Sequence, residues 1–516
     1  PKAAFRNRGD LTFEEVSAAW GFDAPGVSHG MALADLDNDG DLDLVINNLK
    51  GPASLYRNDS VAPRIEVRLK GLAPNTRGIG GKIRVLGGPV TQSQEIICGG
   101  RYLSSDDPMR VFAAGGLTND LMIEVDWRDG KRSVLEHARA NGLYEINETS
   151  AENGKQATDR KQEHSHLWPL FEDVSDLIEH THHEDAFDDF ARQPLLPKRL
   201  SQLGPGVCWQ DLDGDGWDDL VIGSGRGGQL AAYRNDGHGK FAAFGQNLVN
   251  RPLTRDQTSV LGFGSMLLAG SANYEDGRTN GGCIRLYDFE HNATGESILG
   301  QAFSRGPLAL ADVNGDGTLD LFIGGRVVPG RYPEPADSLL LQNEGGRFLP
   351  WQRFEKLGLV SGAVFSDLDG DGTPELILAC EWGPVRVFRM EHGNYVEQTQ
   401  QLGLGAYTGW WNGVSTGDFD GDGRMDIVAS NWGLNSKCRA SSMHPRRLYY
   451  GNLNGGGGVD LIEAHFDSGL NKEVPERVLK SAVGALPFLQ ASIPTYEFYS
   501  TSSVAEIYGE KLKSCS

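Results

Sequence analysis

Residues 211–222 read Asp-Leu-Asp-Gly-Asp-Gly-Trp-Asp-Asp-Leu-Val-Ile, an acidic loop that leads directly into an apolar segment. Counted from Asp211, oxygen side chains stand at positions 1, 3 and 5, a glycine stands at position 6, and a carboxylate stands at position 9. The closing Leu-Val-Ile consists of residues that favour β-strands. The stretch therefore predicts a cation-binding turn that leads into a strand.

Four further copies of this loop start at Asp35, Asp312, Asp367 and Asp418. Each keeps the oxygen side chains at positions 1, 3 and 5, the glycine at position 6 and the acid at position 9. The predicted metal ligands, loop by loop, are Asp35, Asp37, Asp39 and Asp43; Asp211, Asp213, Asp215 and Asp219; Asp312, Asn314, Asp316 and Asp320; Asp367, Asp369, Asp371 and Glu375; and Asp418, Asp420, Asp422 and Asp426.

The donor set of these loops suits calcium, which takes about six to eight oxygen ligands. Carboxylates gathered at one point repel one another unless a cation lies between them. The glycine at position 6 permits the sharp reversal, because it accepts positive φ. The sequence predicts about five Ca²⁺ sites and a degenerate sixth at Asn452, Asn454 and Asp460, where we expect weak binding or none.

An EF-hand is excluded by position 12, which in that motif carries a Glu on a helix. Here position 12 is apolar in all five loops, being Ile46, Ile222, Ile323, Leu378 and Ala429. The remaining alternative is a set of acidic turns that hold no metal.

The spacing of the loops predicts a repeat protein. The starts at 312, 367 and 418 lie about 50 residues apart, and the gap from 211 to 312 is about twice that. A unit of this length is typical of a four-stranded propeller blade. Residues 261–270 stand where a silent copy is expected. The flanks repeat as well: Phe-Glu-Glu-Val-Ser at 13–17 returns as Phe-Glu-Asp-Val-Ser at 171–175.

On these residues the repeats resemble the FG-GAP/VCBS blades of integrin-α-like β-propellers. The resemblance implies an all-β fold with a seven-bladed propeller. It also implies that the calcium loops join two strands of each blade on one face of the disc.

Residues 61–147 carry no acidic loop and read as alternating strands, which predicts a small antiparallel β domain. The segments 75–85, 100–105 and 125–130 resemble the ASPIC/UnbV module, which accompanies such propellers in bacterial secreted proteins. The resemblance implies no biochemical activity.

These observations predict four regions. Residues 1–60 are expected to be the last blade of a truncated N-terminal propeller, because the chain begins at Pro1 without Met. Residues 61–147 form the ASPIC/UnbV-like domain, and 148–166 form a polar linker. Residues 167–516 are expected to form a second propeller, with a helical insertion at 473–489 near the C-terminus.

Composition limits the possible partners. The formal net charge of −22 disfavours nucleic-acid binding, which needs a basic face. The chain has no apolar run of the length that a transmembrane helix requires. The six cysteines are scattered, which favours small buried residues over a disulfide framework. Weak calcium sites work where calcium is abundant, so we expect an extracellular, periplasmic or outer-surface location.

Two further clusters have competing interpretations. The segment His-Thr-His-His-Glu-Asp at 180–185 could bind a transition metal, but loop packing is the favoured interpretation. Trp410 and Trp411 could stack on a sugar, but packing between blades is favoured.

No GxSxG, HExxH or phosphate-binding loop is present, so no catalytic residue is predicted. The sequence favours a non-catalytic, calcium-binding scaffold for extracellular adhesion with a protein or glycan ligand. The alternatives are a calcium-dependent polysaccharide lyase or hydrolase and a structural subunit of a cell-surface complex. The ligand and the oligomeric state are not encoded in these motifs.

Overall fold

A computed structural model describes residues 2–8, 12–151, 157–159, 171–280, 282–299, 302–433 and 440–516. Its regular structure is almost entirely β-strand, which confirms the predicted all-β class. Most of the predicted linker at 148–166 and Cys438 lie outside the described residues. In the described part of the chain, no helix has the length and apolar character needed to cross a bilayer.

The first sheet begins with three antiparallel strands. A separate two-stranded ribbon, β1 (Phe5–Asn7) and β2 (Phe13–Glu15), precedes it. The sheet itself contains β3 (Ser28–Ala34), β4 (Asp43–Asn48) and β5 (Ser54–Asn58). Ala34 pairs with Asp43, so the acidic loop is the connection between β3 and β4. Five of the six β4 residues are buried, as an apolar run in the middle of a sheet requires.

Residues 64–159 form a module of two four-stranded sheets. Its strands are β6 (Arg64–Lys70), β7 (Lys82–Leu86), β8 (Gln92–Glu95), β9 (Arg110–Ala113), β10 (Leu121–Asp126), β11 (Arg132–Ala138), β12 (Gly142–Asn147) and β13 (Ala157–Asp159). A short 3₁₀ turn, Glu148–Ser150, follows β12. All pairs are antiparallel except β6 with β12, the first and last long strands of the module, which a long connection allows to lie parallel.

The first sheet is completed by a strand from beyond this module. β14 (Phe171–Asp173) pairs with β5, with Phe171 opposite Asn58. The sheet order is therefore β14-β5-β4-β3, and the module is inserted between its third and fourth strands. This pairing differs from the expected division into two propellers, because residues 1–60 share a sheet with the region that starts at 167.

The second and third sheets are regular four-stranded meanders. A 3₁₀ turn (Ser175–Leu177) and helix α1 (Asp189–Arg192) precede them. The second sheet contains β15 (Val207–Gln210), β16 (Asp219–Ile222), β17 (Ala231–Asn235) and β18 (Phe241–Ala243), and helix α2 (Gln246–Val249) follows. The third contains β19 (Gln257–Phe263), β20 (Met266–Ser271), β21 (Gly282–Asp288) and β22 (Ala293–Leu299).

The later sheets share strands. β23 (Ser304–Ala311), β24 (Asp320–Val327) and β25 (Ala336–Glu344) lead to the long β26 (Arg347–Ser366). The first half of β26 pairs with β25 and the second half with β27, so one strand serves two successive sheets. The strands that follow are β27 (Glu375–Gly383), β28 (Arg386–Glu391), β29 (Asn394–Glu397), β30 (Gly409–Gly417), β31 (Asp426–Asn431), β32 (Arg447–Gly451), β33 (Asp460–Asp467) and β34 (Lys472–Pro475).

A helical C-terminal region packs on β33. It contains α3 (Leu479–Ala485), α4 (Leu489–Ser492), α5 (Tyr496–Thr501), α6 (Val504–Tyr508) and a 3₁₀ turn (Gly509–Ser514). Ile462 and Ala464 of β33 share a buried cluster with Ala482, Leu486 and Ile507 of these helices. The helices therefore begin later and extend further than the predicted insertion at 473–489.

The first strands of successive sheets are neighbours, as they are in the blades of a β-propeller. Contacts run from β3 to β15, then to β19, β23, β26 and β30. The central segment, residues 98–107 of the module, lies along these strands. Its backbone exchanges hydrogen bonds at 2.9–3.3 Å with residues of five different strands, β3, β15, β19, β23 and β26, namely Leu33, Val207, Val260, Leu310 and Ala363. The hydrophobic core of the module is continuous with that of the sheets, because module residues such as Ile83 and Ile96 share a buried cluster with Leu310 and Leu321.

Candidate metal centres

Four of the five acidic loops share one internal hydrogen-bonding pattern, and the first loop keeps part of it, since Asp35 accepts the N–H of Gly40 on Oδ2 at 3.2 Å. In the second loop, Asp211 accepts the backbone N–H of Gly214 on Oδ1 at 2.7 Å and that of Gly216 on Oδ2 at 3.1 Å. Asp312, Asp367 and Asp418 accept the corresponding pairs of N–H groups at 2.7–3.1 Å. The residue at position 1 therefore orders the loop through its own backbone before any ligand is considered.

The glycine at position 6 has the backbone conformation that the sequence predicts. Its φ is positive in all five loops, at 94° in Gly40, 93° in Gly216, 85° in Gly317, 85° in Gly372 and 87° in Gly423. A side chain would be strained there, because L residues rarely adopt this region. In four of the loops the side chains of positions 1 and 3 lie close to that of position 5 or position 9.

The acid at position 9 has a structural role in addition to the predicted ligand role. Asp219 accepts the backbone N–H of Leu212 on one oxygen and that of Asn235 on the other, both at 3.1 Å. Asp43 and Asp320 make the same two bonds, with Asn58 and Asn343 as the second donors. The acid therefore ties the start of its loop to the end of the third strand of its sheet.

Four loops bring three carboxylates together so that one oxygen of each lies within 4.8 Å of the others. The groups are Asp35, Asp37 and Asp39; Asp211, Asp213 and Asp219; Asp367, Asp369 and Asp371; and Asp418, Asp420 and Asp426. In the remaining loop, Asn314 stands at position 3 and its amide donates to Asp316 at 2.7 Å. Hard oxygen donors at this density suit Ca²⁺.

The first loop is the most buried of the five and gains an acid from the module. Asp35 and Asp37 each hold one buried carboxylate oxygen, Oδ1, without a hydrogen-bond partner. Glu66 of β6 comes so close to the loop that a Cβ on Gly40 would lie 2.0 Å from its Oε1. Buried carboxylate oxygens are costly unless a donor or a cation satisfies them, so the residues present fit a bound cation.

The raised pKa values of these acids reflect the same cost of burying carboxylates close together. Burial, reinforced by Glu66 and Asp39, raises the pKa of Asp35 to about 8. Burial raises the pKa of Asp219 to about 7 and that of Glu375 to about 7, with neighbouring loop carboxylates adding to the shift. A divalent cation among these groups would favour their ionised forms.

Arginines of third strands contact two of the loops. Arg234 of β17 lies 2.7 Å from Asp213 and 2.8 Å from Asp215. Arg389 of β28 lies 2.6 Å from Asp369 and 2.7 Å from Asp371. These partners are part of the repeat, although the sequence pattern of the loop does not contain them.

The degenerate sixth loop keeps the turn but loses the acids. Asn452 accepts the N–H of Gly457 at 3.1 Å, and Asp460 accepts the N–H of Asn454 at 2.9 Å. Asp460 is the single carboxylate among the three predicted ligands, so this loop is the poorest cation site of the set.

The module contacts each of the five loops. Arg64 lies 2.9 Å from Asp41 in the first loop, and Arg77 pairs with Asp218 in the second. The remaining contacts are Arg128 Nε to the carbonyl of Asp312 at 2.9 Å, Glu95 Oε1 to the N–H of Asp367 at 3.2 Å, and Arg84 beside Gly423. The sequence did not reveal these residues, because they belong to a different domain from the loops they touch.

The other two predicted clusters lie apart from the loops. His180 and His182 are buried, and His182 lies 3.3 Å from Glu184. In the described ranges, groups of three close metal-ligating side chains occur at the aspartate loops and not at 180–185. Trp410 is buried between Trp382 and Trp432, with ring centroids 5.3 and 4.5 Å away.

Comparisons with known proteins agree with both resemblances. Residues 2–46, 211–262, 312–378 and 367–429 match the FG-GAP-like repeat, and residues 71–153 match ASPIC and UnbV. Over 226 residues the chain is 25% identical to "Cartilage acidic protein 1" of Homo sapiens and of Mus musculus. This match covers 44% of the chain but spans only 24% and 25% of those relatives. The predicted repeats and module are therefore confirmed.

Proposed function

We propose that this chain, which contains FG-GAP-like repeats and an ASPIC/UnbV domain, is a non-catalytic calcium-binding scaffold for adhesion outside the cell. The observation that carries the proposal is the convergence of three carboxylates in four of the five acidic loops, together with the buried, unpartnered carboxylate oxygens of Asp35 and Asp37. Both families are usually non-catalytic, which supports a binding role. The proposed ligand is a protein or a glycan.

The residues at the different loop positions have different roles in binding a cation. The acid at position 1 fixes the turn, and the acid at position 9 joins the loop to the third strand, as Asp219 does through Asn235. The acids at positions 3 and 5 supply further oxygens. When bound, Ca²⁺ supplies the charge that offsets the repulsion among these carboxylates.

The contacts with the module extend this effect beyond one sheet. Arg64, Arg77 and Glu95 join the module to three different loops. A cation that holds a loop in one conformation therefore also holds in place the loop residue that the module contacts. The expected result is a rigid platform whose loop-bearing side is covered by the module.

The test compares the melting temperature in EDTA, in millimolar CaCl₂ and in millimolar MgCl₂. A ligand that binds only the folded state stabilises it by about 2.7 kcal/mol at a concentration of about 100 times its Kd. We expect a clear rise with calcium and a smaller one with magnesium, which demands a stricter geometry. Equilibrium dialysis should give about five ions per chain. Identical melting temperatures in EDTA and calcium would contradict the proposal.

The enzymatic alternative is tested separately by incubating the calcium-loaded protein with a panel of polysaccharides. Release of unsaturated or reducing products would replace the non-catalytic assignment with a lyase or hydrolase. Binding without product release supports the scaffold, and capture of a defined protein complex would favour the structural-subunit alternative.

A further inference from the structure

A cleft of about 750 Å³ lies between the module and the second and third sheets. Its module wall carries Arg68, Lys70 and Arg77, and its other wall carries the acidic loop at 211–216 and the turn at Gly264. The volume falls within the range of about 300–1,000 Å³ that is usual for small-molecule sites. Two predicted calcium ligands of the second loop, Asp211 and Asp213, form part of this other wall, and the rest of the space has no role in the proposed calcium sites.

The cleft exists because the third sheet has no acidic loop. Phe263 pairs with Met266, so a two-residue turn of Gly264 and Ser265 replaces the long connection found in the neighbouring sheets. In the sheets on either side, the loop reaches the module through Arg77 and Arg128. The predicted silent copy is therefore a shortened hairpin, and it leaves a gap where the other repeats make contact.

One wall of the cleft is an aromatic pair. Phe244 and Phe289 stack with their ring centroids 5.4 Å apart and their planes at 13°, and both rings are partly exposed. A flat apolar wall beside polar groups suits a ligand with one apolar face and many hydroxyl groups. Ser265 and Glu290 line the same space and offer hydrogen-bonding atoms, whereas the amide of Gln210 is already bonded to Arg77 and Gly264.

The lining of the cleft carries three basic and five acidic residues, and a Ca²⁺ held by Asp211 and Asp213 would bring their formal charges into balance. Arg77 pairs with Asp218, and Lys70 lies 2.9 Å from Glu145. Balanced pairs can hydrogen-bond to hydroxyls without a net field that selects an ion. This arrangement favours an uncharged, hydroxyl-rich ligand over an acidic or basic one.

A peptide fits these walls less well. Extended peptides usually add to the free edge of a sheet. The module strand that borders the cleft, β6, is paired with β12 over residues 65–70 and with β9 over residues 64–67, which leaves only residues 68–70 with one unpaired edge. The wall therefore offers mainly side chains and at most a three-residue backbone edge.

We propose that this cleft binds a neutral oligosaccharide, with the sugar ring against Phe289 and its hydroxyl groups directed to Ser265, Glu290 and the charged pairs. The inference rests on the proposed binding function and deepens it by naming the ligand class and the site. It assigns a role to the missing loop of the third repeat.

The test screens the calcium-loaded chain on a glycan array and measures the Kd of the best neutral oligosaccharide. Phe289→Leu keeps apolar volume but removes the flat ring, and Ser265→Arg fills the cleft from the turn. We expect each variant to raise the Kd about tenfold or more, the equivalent of about 1.4 kcal/mol. The matched control is Trp432→Ala, which removes an exposed tryptophan outside the cleft lining and should leave the Kd unchanged.

Three results would overturn the cleft assignment: no neutral glycan bound, unchanged affinity in both folded cleft variants, or loss of binding in the tryptophan variant alone. Capture of a peptide through the same residues would also overturn the ligand class. The calcium-dependent melting shift reports on the scaffold independently. An empty array with an intact shift therefore removes the cleft assignment and leaves the proposed function standing.

Discussion

The carboxylate of Glu95 accepts the backbone N–H of Asp367, with 3.2 Å between Oε1 and N. Its second oxygen accepts the hydroxyl of Ser366. Glu95 belongs to the module, whereas Asp367 is the first predicted ligand of the fourth loop. A buried acid therefore attaches the module to this loop, where arginines attach it to the first three.

Replacing Glu95 tests how much this attachment contributes to stability. Glu95→Ala leaves two donors in a buried position, so we expect the free energy of unfolding to fall by about 2 kcal/mol or more. Glu95→Gln keeps an acceptor and should cost about half as much. Urea unfolding in calcium measures both, with the exposed Glu510→Ala as the control. A loss below about 0.5 kcal/mol in Glu95→Ala would show that the contact is dispensable.

The two roles of the loop acids can be separated in the second loop. Asp219→Ala removes the acceptor of two backbone N–H groups, so it should lower the melting temperature in EDTA as well as in calcium. Asp213→Ala removes a predicted ligand that lies on the exposed side of the turn, so it should act mainly on the calcium-dependent part. Equal effects of the two variants in EDTA would argue against the structural role of position 9.

The first loop should respond to substitution with opposite signs in the two conditions. Asp37→Asn removes charge from a carboxylate with a buried, unpartnered oxygen, so we expect it to stabilise the protein in EDTA by about 1 kcal/mol. In calcium the same variant loses a ligand and should be less stable than the wild type. Asp420→Asn in the more exposed fifth loop is the matched control, with a smaller change in EDTA. Parallel changes in both buffers would exclude a cation at Asp37.

Buried histidines predict acid sensitivity. Burial, with His182 nearby, lowers the pKa of His180 to about 4 from an ordinary value near 6.5. Between these pH values the unfolded chain binds the proton and the folded chain does not, so stability falls as the pH drops from about 6.5 to about 4.

The loss for His180 amounts to about 3 kcal/mol, at about 1.4 kcal/mol for each pKa unit. Unfolding curves at a series of pH values should show a shallower slope for His180→Leu than for the wild type. The exposed His291→Gln serves as the control and should follow the wild type. An unchanged slope in His180→Leu would assign the acid sensitivity to other groups.

A buried ionic cluster at the end of β27 gives a further prediction. Although burial alone would raise it, Lys198 and Arg326 hold the pKa of Glu381 at about 2. The hydroxyl of Tyr332 donates to the same carboxylate at 2.6 Å. Glu381→Ala strands two cations in the interior, so we expect a loss of about 3–5 kcal/mol by urea unfolding. Glu510→Gln, which breaks an exposed pair, should change stability by less than about 0.5 kcal/mol.

The sequence was sufficient for the acidic loops and the strands beside them, because the pattern is local. The loops begin and end where the sequence motif predicts them, and their position 6 glycines have the required positive φ. The assignment of each strand to its sheet is harder to predict from the sequence. The repeated flank at 171–175 lies in the region predicted to form a second propeller from residue 167, whereas the three-residue strand Phe171–Asp173 is the outer strand of the sheet that begins at Ser28.

The residues that join the module to the loops could not be predicted for a different reason. Glu66 and Glu95 lie on ordinary alternating strands, and nothing in their local pattern separates them from surface acids. Their role depends on how two domains dock, which is a long-range property. The cleft at Gly264 was likewise hidden, since a missing loop in the sequence gives no sign of the space it leaves.

The insertion of the module between β5 and β14 has a consequence for how firmly it is held. Both of its ends are anchored in one sheet, so the module meets its docking surface as a tethered ligand at a high effective concentration. Each individual contact, such as Arg64 with Asp41, can therefore be weak while the docked state still predominates. Cutting the chain on both sides of the module would turn this intramolecular equilibrium into a bimolecular one, and dilution would then separate parts that the uncut chain keeps together.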